Sequence, residues 1–242
     1  MYGACASLRF AEGLRRRSEE ARAEAAVQEG VALGSLIGIR VSSEDLRVAA
    51  MGVQQNDFWD PTMCAALGVW RAAWSMLAEL APLNAKNPRK VAAKPWPARV
   101  ASWHRDICSF LVAAEHIDAK SVALPRGMSA MRALQTPGSA FERAKMAWRT
   151  FTLDPPFEYG SPIIGALCAK QILAEEGIEP TGVAVLGAYA AANPGAFPPR
   201  DTQNDHQDQV DSWDWFLRQS VKDGCAKGQE IARFVQAGVV PK

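Results

Sequence analysis

The chain has 242 residues, of which 48% are hydrophobic, and its 27 basic side chains stand against 26 acidic ones. A chain of this length can bury a substantial core as one domain, and its balanced charge provides no net field that would attract nucleic acid or an anionic membrane. We therefore expect a single domain over residues 1–242 that binds neither nucleic acid nor membrane.

Apolar residues recur every three or four positions along most of the chain, which is the spacing of helices with one buried face. The first predicted helices are one long helix over Ser7–Leu33, a short one that begins at Ser42 or Ser43, and one over Pro61–Leu80. The later ones cover Pro97–His116, Ser139–Leu153, Pro162–Glu176, Thr181–Ala191 and Val210–Ala237. The string KSVAL at residues 120–124 is the one candidate strand. The predicted class is all-α, with about seven to eight helices and room for one short β-hairpin.

The cysteines and the N-terminus indicate the compartment. The five cysteines lie far apart and form no CxxC pair, which argues against a disulfide framework and against a thiolate zinc site. The N-terminus turns charged after a short apolar start, the reverse of a secretory signal, and no apolar stretch approaches the roughly 20 residues that cross a bilayer. We expect a cytoplasmic protein without a metal site.

The segment Asp154–Ala166, DPPFEYGSPIIGA, has the composition of a helix start. Gly160 permits a turn, Ser161 can cap free amides, and Pro162 fits the first helical position. A helix N-terminus offers unpaired N–H groups and a partial positive charge, so Gly160 and Ser161 are candidate anion- or nucleotide-binding residues. Pro162 removes one of these amides, however, and Ser161 is the only side-chain donor at the turn.

The order of elements resembles the Fic domain family over most of the chain, and it is closest to actinobacterial Fic-like proteins of similar length that are often loosely labelled oxidoreductases. Fic proteins are helical and typically move AMP or another phosphate-containing group from a nucleotide to a hydroxyl. Their motif reads HPFxxGNGRxxR, and this chain has PPFEYGSPIIGA in its place. The flanking strings AWRTFTLDPPF and DQVDSWDWFLRQSVKDG resemble the helix before the motif and the family's tryptophan-bearing C-terminal helix. The resemblance implies a Fic-like helical bundle.

Aligning the two motifs implies that the catalytic, metal-binding and phosphate-binding residues of the family have been replaced in this chain. The catalytic histidine falls on Pro155, which cannot transfer a proton, and the metal-binding acid falls on Tyr159, a poor ligand for a hard cation. The other replacements are Ser161 for asparagine, Pro162 for the second glycine, and Ile163 and Ala166 for the two phosphate-binding arginines. The retained members are Pro156, Phe157 and Gly160, which form the turn.

The resemblance also implies that residues 1–52 are an inhibitory-helix-like segment packed on the core. The family pattern is S/TxxxEG, whose glutamate pairs with the motif arginine and blocks nucleotide binding. Two registers fit: Glu29–Gly30 keeps the acid, and Ile37–Gly38 places the next helix start correctly. We favour the second, because a buried carboxylate without its arginine would cost several kcal/mol unless repaired, whereas Ile37 near Ile163 would make an apolar contact.

Two further sets of residues have both a functional and a structural interpretation. His104 and Cys108 lie four residues apart on one predicted helix and could touch one metal, but zinc sites usually recruit four ligands, so a packed helix face is the better interpretation. The eight tryptophans are best explained as core packing, although a tryptophan-rich exposed patch would mark a partner surface.

Together these features favour a catalytically degenerate Fic-like pseudoenzyme that binds a protein partner or a second copy of itself and transfers no AMP. The alternative is a nucleotide-using transferase of the AMPylation type, with a site rebuilt around residues 154–162. Asp154 and Glu158 would then replace the base or the metal ligand, although both are more simply solvated acids near a helix N-terminus. Nucleotide binding is therefore not expected, no cofactor is implied, and no dinucleotide fingerprint supports redox activity.

Overall fold

The computed structural model describes residues 1–52, 60–83, 94–119, 128–198 and 206–239, with the backbone alone at residues 206–211. Within these ranges the regular secondary structure is helical and there is no strand, which confirms the all-α prediction. The candidate strand at residues 120–124 lies outside the described residues, and so does most of the predicted loop between Leu83 and Lys94.

The described residues form ten α-helices and one short 3-10 helix. The first five are α1 (Tyr2–Arg9), α2 (Gly13–Ser35), α3 (Ser43–Met51), α4 (Pro61–Ala78) and α5 (Trp96–Ala113). The next are α6 (Ser129–Ala133), α7 (Ala140–Leu153), α8 (Ser161–Glu175), α9 (Ala188–Ala192), the 3-10 helix Pro194–Ala196, and α10 (His206–Ala237). The predicted start of α3 is confirmed, because the Ser42 hydroxyl accepts the Asp45 amide hydrogen at 3.0 Å.

The prediction of one long helix over Ser7–Leu33 is wrong, because α1 ends at Arg9 and α2 begins at Gly13. Leu8 and Leu14 are both buried. On a straight helix two residues six positions apart would point about 120° from one another, so they could not share one narrow buried stripe. The break between the two helices allows both leucines to reach the core.

The predicted helix Thr181–Ala191 is also wrong, because only Ala188–Ala192 is helical there. The Glu179 carboxylate accepts the amide hydrogens of Thr181 and Gly182, at 3.1 and 3.0 Å, and also the Thr181 hydroxyl. Side chains that hydrogen-bond nearby amides compete with helix formation, and Gly182 has a positive φ of 72°. The segment is then held in place by the Val185 amide, which donates to the Gly224 carbonyl oxygen on α10 at 3.1 Å.

The buried apolar side chains form one continuous cluster, and α8 lies inside it with nearly every residue buried. Helices α2, α4, α5 and α7 all contact α8. The approach of α7 is close, because a Cβ atom added at Gly165 would lie 3.1 Å from the Trp148 Cα. A helix that is apolar on every side must be covered on every side, so this packing brings the start of α8 into the interior.

Candidate functional site

Ser161 is the first residue of α8, and its hydroxyl is used within the turn that precedes the helix. It accepts the Phe157 amide hydrogen at 3.0 Å and donates to the Phe157 carbonyl oxygen, also at 3.0 Å. The residue is 1% exposed. The expectation that Ser161 caps free amides of α8 is therefore wrong, and its hydroxyl is not presented to a ligand.

Gly160 provides the turn, as the sequence predicts. It is the N-cap of α8 with a φ of +76°, a conformation that other residue types rarely adopt. A Cβ atom added at this position would lie 3.0 Å from Cγ2 of Ile107 on α5. The glycine is thus required both by the backbone conformation and by the close approach of α5.

Phe157 is buried and stacks on His104 of α5, with ring centroids 3.9 Å apart and an interplanar angle of 17°. Burial lowers the pKa of His104 to about 4, although the hydrogen bond between its ring and the Tyr159 backbone opposes this shift. His104 is therefore neutral near pH 7. It lies directly against the motif segment, a position that no pattern in the sequence indicated.

The two acids proposed as substitutes lie at the surface. Asp154 follows α7, and its carboxylate accepts a hydrogen bond from the Ser129 hydroxyl on α6. Glu158 is exposed, and the intervening Pro155 is exposed as well. Tyr159 is half-buried, and burial raises the pKa of its phenol to about 12, so the phenol remains protonated. The structure places these residues in the one loop that joins α7 to α8.

The remaining motif positions are held in packed surroundings. Ile163 and Ala166, which the resemblance aligns with arginines, are both buried in the core. Pro156 is buried before the turn, and Pro162 is half-buried in the first turn of α8. Two cavities among the described residues, of about 410 and 290 Å³, are lined by other segments.

The His104 and Cys108 pair has the geometry of a packed helix face. Both side chains are buried, and the Cys108 Sγ lies 3.7 Å from the His104 Nε2. Burial raises the pKa of Cys108 to about 11, which disfavours the thiolate that binds metals. No group of three or more histidine, cysteine or acidic residues suited to a metal occurs in the described ranges.

Glu29 on α2 is fully buried, and its carboxylate has three partners. Lys170 of α8 contacts Oε2 at 2.7 Å, the Leu186 amide donates to Oε2 at 3.1 Å, and the Gly187 amide donates to Oε1 at 2.9 Å. The premise that a buried carboxylate here would lack a cation is therefore wrong, because the Lys170 ammonium group, one turn beyond Ala166, pairs with it. Sequence reasoning missed Lys170, although a lysine within the apolar string IIGALCAKQIL was a visible signal.

Ile37, the acid position in the other register, is half-buried in the turn after α2, where Gly38 has a φ of +86°. Gly30 allows α2 to approach α4, because an added Cβ atom would lie 3.1 Å from the Trp70 Cα. The fold therefore favours a glycine at both positions. The choice between the Glu29–Gly30 and Ile37–Gly38 registers stays a prediction.

A cavity with a volume of about 410 Å³ lies between α2, α3, α4 and the end of α10. We call it the α2–α3 groove; its lining includes Arg17, Glu24, Arg47, Met51, Trp70 and Val235. Its polar rim is internally paired, since Arg47 contacts both carboxylate oxygens of Glu24 at 2.9 and 3.1 Å. Met51 is 75% exposed, so an apolar side chain is available to solvent at this edge.

The tryptophans divide between core and surface. Trp103, Trp148 and Trp213 are fully buried, as the core interpretation predicts. Trp215 on α10 is 51% exposed and packs edge-on against Tyr189, and Trp74 on α4 is 37% exposed.

Among the described residues no helix combines the length and the apolar character needed to cross a bilayer.

Comparison with the models of known protein families and with curated proteins yields no match to this chain.

Proposed function

We propose that this chain is a catalytically inactive Fic-like domain that serves as a binding or scaffold module for a protein partner, with a second copy of itself as one form of that partner. The observation that carries the proposal is the burial and hydrogen bonding of the Ser161 hydroxyl. The only side-chain donor at the start of α8 is buried and hydrogen-bonded in both directions to the Phe157 backbone. An anion at this turn would have to displace those bonds.

The surrounding residues support the same proposal. Pro155 has no group that can accept a proton, and the buried Ile163 and Ala166 offer no charge to a phosphate. The cation nearest in sequence, Lys170, is committed to Glu29 at 2.7 Å. A binding role, by contrast, requires only an exposed apolar surface, and Met51, Val48 and Trp215 are all exposed by more than half.

Nucleotide titration tests the loss of transfer activity. We expect the melting temperature to stay constant when ATP, GTP, UTP or CTP is added with magnesium, and labelled ATP to leave no label on the protein. A nucleotide that bound the folded state at a hundred times its Kd would add about 2.7 kcal/mol, or a rise of about 5–10 °C in a domain of this size. Such a rise would contradict the proposal.

Three substitutions would locate any response. Asp154→Asn and Glu158→Gln remove the loop acids, and Glu44→Gln is the matched control because Glu44 is an exposed acid in the first turn of α3. A response lost in the two loop variants and kept in the control would favour the alternative, a nucleotide-using transferase rebuilt around residues 154–162. Sedimentation velocity over a range of concentrations would separately show whether the partner is a second copy.

A further inference from the structure

Two buried cysteines meet where the first and last helices pack together. Cys5 lies in the middle of α1 and Cys225 lies in α10, and their Sγ atoms are 3.6 Å apart. Both side chains are almost fully buried. The thiols are therefore in van der Waals contact although 220 positions separate them in the chain.

The packing around this pair keeps the two helices close. One turn further along α10, a Cβ atom added at Gly228 would lie 3.0 Å from Cδ2 of Leu8 on α1. At Gly224, an added Cβ atom would lie 2.7 Å from the Val185 carbonyl oxygen, so α10 is also fixed from its other side. Because neighbouring contacts hold both backbones, the sulfur atoms can approach by side-chain rotation rather than by helix movement.

The hydrogen bond between the thiols distinguishes their roles. Cys225 donates to Cys5, which lowers the pKa of Cys5 and raises that of Cys225. Burial and the Glu179 carboxylate oppose the shift at Cys5, while the N-terminal ammonium group adds to it. The thiolate is the nucleophilic form of cysteine, so Cys5 is the attacking member and Cys225 is placed to resolve it.

An oxidant can reach the pair through α1. This helix has eight residues and only two buried side chains, so we expect it to open more readily than the core helices. A cavity of about 290 Å³ is lined by Ser7 on α1 and Gln229 on α10. This cavity lies beside the contact between α1 and α10 and is not lined by either cysteine, so we expect the oxidant to reach the thiols when α1 moves away from α10.

We propose that Cys5 and Cys225 form a redox-active dithiol that a hydroperoxide converts to an intramolecular disulfide, which locks α1 onto α10. The Cys5 thiolate attacks a peroxide oxygen, the O–O bond breaks, and hydroxide leaves to give the Cys5 sulfenic acid. The Cys225 sulfur then attacks the Cys5 sulfur, the S–O bond breaks, and water departs with the Cys225 proton. In total, hydrogen peroxide and two thiols give one disulfide and two waters.

The other cysteines do not take part, which makes the reaction specific. Cys64, Cys108 and Cys168 are each buried on separate helices, and burial raises the pKa of each thiol. They provide internal controls, because oxidation of the folded protein should lower the number of free thiols from five to three and no further.

The experiment exposes the folded protein to hydrogen peroxide, quenches the reaction, and counts free thiols after unfolding. Peptide mapping without reductant should recover a Cys5–Cys225 linked peptide, and dithiothreitol should restore all five thiols. The oxidised protein should melt about 10 °C higher, since the bond closes a loop of nearly the whole chain. Cys5→Ala should keep its four thiols, whereas the matched control Cys64→Ala should fall from four to two.

Three results would overturn the proposal. The first is a folded wild-type protein that retains all five thiols with no linked peptide. The second is a linked peptide that joins any other pair, and the third is Cys5 found as a sulfinic or sulfonic acid with Cys225 still free. The mapping uses the wild-type chain, so these outcomes do not depend on whether a variant folds.

Discussion

The buried ion pair between Glu29 and Lys170 makes a sharp prediction about stability. Lys170→Met keeps the length and apolar stem of the side chain but removes the ammonium group that lies 2.7 Å from Oε2 of Glu29. Both residues are buried, at 0% and 3% exposure, so water cannot replace the lost cation. Breaking one partner of a buried pair costs about 3–5 kcal/mol, which is a large share of the 5–15 kcal/mol typical of a folded domain.

A matched control separates this effect from the loss of any buried lysine. Lys145 is as buried as Lys170, but its partners Glu142 and Asp214 have carboxylates that are 50% and 27% exposed. After Lys145→Met these acids remain hydrated, so we expect the free energy of unfolding to fall by about 1 kcal/mol or less. The same chemical change at two equally buried positions should thus differ at least twofold in cost.

Glu29→Gln completes a double-mutant cycle. A neutral side chain at position 29 still offers an oxygen to the Leu186 or Gly187 amide, and it no longer needs a cation. Lys170→Met should therefore cost less in the Glu29→Gln background than in the wild type, with a coupling energy of about 2 kcal/mol. Urea unfolding followed by far-ultraviolet circular dichroism measures all four chains. Additive costs, or a Lys170→Met variant no weaker than Lys145→Met, would refute the reasoning.

Two further predictions concern the turn before α8. Ser161→Ala leaves the buried Phe157 amide without its acceptor, so the free energy of unfolding should fall by about 1–3 kcal/mol, seen as a lower urea midpoint at unchanged slope. His104 has a pKa of about 4 in the folded protein against 6.5 in the unfolded chain, so the unfolded state binds more protons between these values and stability falls as pH falls. The total loss is about 3 kcal/mol, and urea titrations at pH 7 and pH 5 should show a flatter dependence for His104→Gln.

Local chemistry determined which parts of the fold could be predicted. The start of α3 depends on Ser42 and the start of α7 on Ser139, and each cap bonds an amide three residues away. The failed helix over Thr181–Ala191 involves both local and distant hydrogen bonds, because the Glu179 carboxylate accepts amide hydrogens two and three residues away. The segment after Glu179 leaves the helical path and is then fixed by Gly224, through a bond from the Val185 amide to a residue distant in sequence. Periodicity contains no information about such a partner.

In the candidate site, too, features that depend on one residue were predicted, and features that depend on residues far apart in the chain were not. Gly160 was predicted from its own conformational freedom, and the structure gives it a φ of +76°. The stacking of His104 on Phe157 joins residues far apart in the chain and depends on how α5 packs beside the turn. The sequence contains Lys170 within an apolar string, but it does not show that Lys170 pairs with Glu29. That pairing depends on the contact between α2 and α8, which the sequence pattern does not reveal.

Three residues of the segment before α8 and at its start each have a packing role, and this limits how a ligand could use the turn. Phe157 stacks on the His104 ring, and Gly160 leaves room for the side chain of Ile107. The Ser161 hydroxyl hydrogen-bonds to the Phe157 backbone. An anion that took the Ser161 hydroxyl as a donor would have to break its bonds to the Phe157 backbone, and we expect this to lift the Phe157 ring from His104. Water would then reach His104 and its pKa would return toward 6.5, because burial is the main cause of the present shift. Any nucleotide that bound at this turn should therefore take up a proton near pH 5 to 6, whereas binding elsewhere on the surface should leave His104 unchanged.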